Sequence, residues 1–130
     1  MRSMKKEKIK KLANTSIKKW KSRLGFSDWK IDAKVTVFKR ADGFPQDGDF
    51  IVNYGKKRAT ILIGTILKSS VEEIIVHELV HLMLWPIDQK TMSTIRQLPQ
   101  SKQKRAKSGF LDELEEVVEQ ITKSFLRDRQ

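Results

Sequence analysis

The sequence predicts an α+β fold, and three observations carry that expectation. Near both ends of the chain, apolar residues recur at three- and four-residue spacing, as they do on amphipathic helices. Between them, residues 29–63 alternate or run apolar in short stretches bounded by turn residues, as strands do. A longer apolar stretch over 71–85 is then broken only by Glu72, Glu73 and the run His77-Glu78-Leu79-Val80-His81.

The first helix is expected over residues 4–24. Ile9, Leu12, Ala13, Ile17, Trp20 and Leu24 form its apolar stripe, lysines fill the other face, and Gly25 supplies a stop. Residues 29–39 alternate, with Ile31, Ala33, Val35 and Val37 on one side and Asp32, Lys34, Thr36 and Phe38 on the other. That is the pattern of a half-buried strand. Residues 42–48 are rich in Gly, Asp and Pro and read as a loop. Phe50–Tyr54 and Arg58–Ile63 read as a hairpin turning at Gly55-Lys56-Lys57.

Ser70, with Glu73 three residues on, makes a capping box for a helix over Val71–Trp85, which Pro86 ends. A helix apolar nearly all round is a buried one. Residues 87–108 show no clear period, and Lys102, Lys104, Arg105 and Lys107 fit a mobile loop or lid. After Gly109 a last helix is expected over Phe110–Leu126, with Leu111, Leu114, Val118, Ile121 and Phe125 as its core stripe.

A chain of 130 residues has room for one core, so residues 1–130 are expected to form a single domain. Within it, 1–25 is a basic amphipathic helix and 29–126 the remaining core. The absence of cysteine excludes disulfides and thiolate metal sites and fits a reducing compartment. No apolar run approaches the roughly 20 residues that span a bilayer. The lysine-rich start lacks the apolar segment of a secretory signal. The expectation is a cytoplasmic protein with no membrane partner. The formal net charge of +11 is concentrated at the start, where residues 1–23 hold ten Lys or Arg against Glu7 alone. That face is either the solvated side of a packed helix or a contact for nucleic-acid phosphates.

The chemistry lies in H-E-x-x-H. Residues four apart stack on one helical face, so the imidazoles of His77 and His81 can reach one metal ion. Glu78, on the adjoining face, can reach a water held by that ion. These are the only two histidines of the chain. A zinc site needs at least a third protein ligand, and with no His or Cys remaining either it is a carboxylate or the site is incomplete. The final helix offers Asp112, Glu113, Glu115, Glu116 and Glu119. Glu115 lies beside Leu111 and Val118 on the buried side, and Glu119 is one turn further along the same edge. Glu113 and Glu116 read as solvated charges.

His-Glu-Leu-Val-His followed by a helix bearing Glu115-x-x-x-Glu119 resembles the gluzincins, zinc metallopeptidases with two His from one helix and a Glu from the next. The compact size is similar to the minigluzincins and to small phage or prophage-type metallopeptidase domains, over roughly residues 29–126. The resemblance implies a zincin-like fold: a leading helix, a small twisted and mostly antiparallel sheet, the HExxH helix and a glutamate helix. It implies one Zn2+ per chain on His77, His81 and Glu115, with Glu119 orienting an imidazole. Peptide bonds would then be hydrolysed by a zinc-bound water that Glu78 activates. The protein or peptide substrate would lie extended along an edge strand, for which Arg58–Ile63 is the candidate. Larger gluzincins use a further histidine to stabilise the oxyanion. Here Tyr54, the only tyrosine, is the candidate for that task. The rival reading is a DNA-associated regulatory or binding module on a metallopeptidase scaffold, using the basic N-terminal helix. The intact Glu78 argues against a scaffold alone, since holding a metal does not require it.

Overall fold

The computed structural model describes residues 2–3, 5–38 and 47–127. Among the described residues, five strands and four helices follow one another in an α+β order. They are β1 (Arg2–Ser3), α1 (Lys6–Arg23), β2 (Lys30–Val35), β3 (Gly48–Asn53), β4 (Arg58–Ile63), β5 (Ile66–Leu67), α2 (Val71–Met83), α3 (Trp85–Arg96) and α4 (Gln100–Arg127). The chain divides into two compact units, Met1–Leu79 and Val80–Gln130, and the division falls inside α2. No helix among the described residues is long and apolar enough to cross a membrane.

In the first unit, α1 buries Ile9, Ala13, Ser16, Ile17 and Trp20. Leu12, expected in that stripe, is 41% exposed, and Ser16 takes a buried place instead. The helix stops where Gly25 adopts a left-handed φ of 85°. Phe26 N–H donates to Lys21 O at 2.8 Å and Gly25 N–H to Ser22 O at 3.4 Å, the paired bonds of a Schellman ending. Trp20 Nε1 donates to Glu72 Oε2 at 2.9 Å, and Lys19 adds a 3.0 Å ion pair to the same oxygen, so α1 is tied to the first turn of α2.

The sheet corrects two expectations. Its strand order is β2-β4-β3, with β2 parallel and β3 antiparallel to β4. It is therefore mixed rather than mostly antiparallel. Arg58–Ile63 occupies the centre, with a neighbour on each side, and is not an edge strand. Ala59, Ile61 and Ile63 of β4 are buried, as a central strand requires. β2 ends at Val35, four residues short of the expected strand, and Val37 is 59% exposed. The loop expected over 42–48 lies outside the described residues up to 46, and Gly48 already belongs to β3. The hairpin turn forms as expected, with Lys57 N–H donating to Tyr54 O at 3.2 Å. Lys57, rather than Gly55, takes the left-handed φ.

α2 begins as its capping residue dictates, with Glu73 N–H donating to Ser70 Oγ at 3.1 Å. It ends at Met83, and Pro86 then sits in the first turn of α3. A proline is favoured there because its missing N–H would have had no helical partner. The second unit overturns the loop or lid expected at 101–107. These residues are helical, and α4 begins at Gln100, ten residues before the expected start. Gln103 Nε2 donates to Arg96 O at 3.2 Å and to Leu98 O at 3.0 Å, joining the end of α3 to the start of α4.

Candidate metal centre

α2 carries both imidazoles on one continuous helix, and both are half-buried. His81 Nε2 lies 3.1 Å from Glu115 Oε2 on α4. The ligand atoms of His77, His81 and Glu115 all fall within 4.8 Å of one another. Around a tetrahedral zinc with bonds near 2.1 Å, neighbouring ligand atoms are about 3.4 Å apart. The His81–Glu115 pair needs only tenths of an ångström to match that spacing. Two imidazoles and one carboxylate are also a donor set that zinc accepts, leaving a fourth position for water or substrate. The three residues are a group that could hold a metal ion.

Glu78 is 7% exposed, an unusual setting for a carboxylate. A Cβ built on Gly48 would lie 2.9 Å from Glu78 Oε2, so this carboxylate rests against the first residue of β3. Glu119 is half-buried and one turn beyond Glu115, but it is not in the three-ligand cluster. Asp112, Glu113 and Glu116 are exposed.

Tyr54 is not brought near Glu78. It follows the far end of β3, six residues from Gly48, about 20 Å away at the rise of an extended strand. Its ring packs against Trp29 at a centroid separation of 5.0 Å and is 42% exposed overall. The oxyanion task expected of it has no geometric basis.

Two residues near the candidate ligands escaped the sequence reading. Gly48 is one. The other is Asp88, in the first turn of α3. Burial pushes its carboxyl above the ordinary carboxylate range, while the charge of His81 works in the opposite direction. An acid just after Pro86, in the first turn of a new helix, was the available signal.

Comparison of the chain with family models, with curated proteins and with solved structures gives no match.

Proposed function

We propose that this chain is a zinc-dependent metallopeptidase that hydrolyses peptide bonds in extended polypeptide. The observation that carries the reading is the meeting of His77, His81 and Glu115 within 4.8 Å, beside a buried Glu78. His77, His81 and Glu115 would hold the metal. When bound there, zinc lowers the pKa of water to about 7 and polarises a carbonyl. Glu78 accepts the proton of the attacking water and returns it to the leaving amine. Burial excludes competing solvent from that carboxylate.

An extended substrate is best received by β3. β3 pairs with β4 in the sheet, and a peptide held by main-chain hydrogen bonds would run alongside this strand. β2 is the other edge of the same sheet, but β3 is the strand whose first residue touches Glu78.

The test combines metal content with cleavage of a denatured protein. Glu78→Gln removes the base and no ligand, so zinc should stay while hydrolysis falls by roughly 10²- to 10⁴-fold. Cleavage at the wild-type rate by Glu78→Gln would defeat the mechanism.

A second reading, contact with nucleic acid, is favoured by one observation. Outside its buried stripe α1 exposes Lys6, Lys8, Lys10, Lys11 and Lys18. If these meet phosphates, binding to duplex DNA should weaken steeply with added salt. A salt-insensitive or absent interaction leaves α1 as a packed surface helix.

A further inference from the structure

We infer that Gly48 is a positioning residue for Glu78: its missing side chain makes the space in which the carboxylate is held. The space is small and specific. A Cβ at Gly48 would meet Glu78 Oε2 at 2.9 Å and Ile74 Cγ2 at 2.8 Å, both closer than ordinary van der Waals contact. Gly48 is not among the residues of left-handed φ, so what it contributes is room and not backbone freedom.

The surroundings decide which group would yield to an added methyl. Gly48 is in register with Ile63 of the central strand, and Gly64 N–H donates to the neighbouring Asp47 O at 3.0 Å. The start of β3 is thus pinned to the end of β4. Ile74 is 3% exposed, and its branched Cγ2 sits close to the helix backbone with a stiff χ1. The Glu78 carboxylate is the end of a flexible chain and yields more cheaply than Ile74, whose contact is relieved only by a small shift of the backbone. Moving Oε2 from 2.9 Å to ordinary contact shifts it by at least about half an ångström, the tolerance within which catalytic groups must be held. Misplacement by about 1 Å can cost 10²-fold in rate.

The role assigned to the carboxylate rests on the peptidase reading; its placement does not. The experiment is Gly48→Ala in the full chain, followed by zinc content, kcat and KM on a denatured protein substrate, and a crystal structure. Expected are one zinc per chain, kcat lower by about 100-fold with KM changed little, and the Glu78 carboxylate moved away from β3. A wild-type kcat, or a carboxylate in its original place, overturns the inference. If Gly48→Ala is poorly folded, the same substitution is made in Glu78→Ala. The drop in urea midpoint should then be smaller, because the crowded carboxylate is gone. An equal drop in both backgrounds assigns Gly48 to packing against Ile74 and overturns the role. Zinc-loaded wild-type protein that cleaves nothing would sink the peptidase reading, while the carboxylate position in Gly48→Ala still decides this one.

Discussion

The two helices that carry the candidate ligands are built in opposite ways. α2 is apolar nearly all round, and Ile74, Ile75, Val76, Leu79, Val80 and Leu82 are all 3% exposed or less. α4 is more than twice as long, yet only Val118 and Thr122 are buried along it. The difference shows in the ligands. The imidazoles stand on a helix that the core holds in place. Glu115, with its side chain 54% exposed, stands on a helix held at few points. If the proposed metal binds, its removal should therefore loosen α4 more than α2.

The largest expected effect that sharpens this contrast is in the core. Ile75→Ala deletes a fully buried side chain and should cost about 3 kcal/mol. Leu111→Ala, at a site on α4 that is 41% exposed, should cost less than about 1 kcal/mol. Urea denaturation of the two variants checks the difference, and equal losses would break the comparison.

A smaller effect concerns Thr122. Its Oγ1 is buried with no hydrogen-bond partner among the described residues. Replacing the hydroxyl with a methyl of similar shape removes an uncompensated desolvation penalty. Thr122→Val should raise stability by about 1 kcal/mol, and a loss of stability would show that the hydroxyl has a use. Smaller still is Gly109→Ala. This glycine lies inside α4 with open space where a Cβ would stand. The substitution should stabilise by about 0.5–1 kcal/mol, read from the thermal midpoint.

The same contrast explains what the sequence made legible. α1 with its Gly25 stop, the β3–β4 hairpin and the capped start of α2 were all readable, because each is written in local pattern and capping chemistry. β4 was placed to the residue. Its central position was not, because the parallel pairing of β2 with β4 joins residues some 28 apart and leaves no mark on either strand's own alternation. The start of α4 was hidden for a different reason. Residues 100–109 bury no side chain fully and carry a mid-helix glycine, so no apolar period announces them.

The candidate site divides the same way. His77, Glu78 and His81 are fixed by their spacing on a buried helix. On α4, periodicity alone left Glu115 and Glu119 on one edge without choosing between them. In the structure the cluster with the two imidazoles contains Glu115. In the sequence Gly48 is one more turn residue, since the need for a missing side chain is set by Glu78, thirty residues later in the chain. Tyr54 stands out in the sequence only as the sole tyrosine, and no spacing links it to the motif.

The most direct measurement is zinc titration of the wild-type protein beside Glu115→Ala and Glu119→Ala. One zinc should bind per wild-type chain. Glu115→Ala should lose it as completely as His81→Ala does, because two imidazoles alone hold the ion weakly. Glu119→Ala should bind about 10- to 100-fold more weakly, as the loss of a group that orients a ligand does. Full affinity in Glu115→Ala, or no zinc bound by the wild-type chain, would contradict the metal centre on which the proposed function stands.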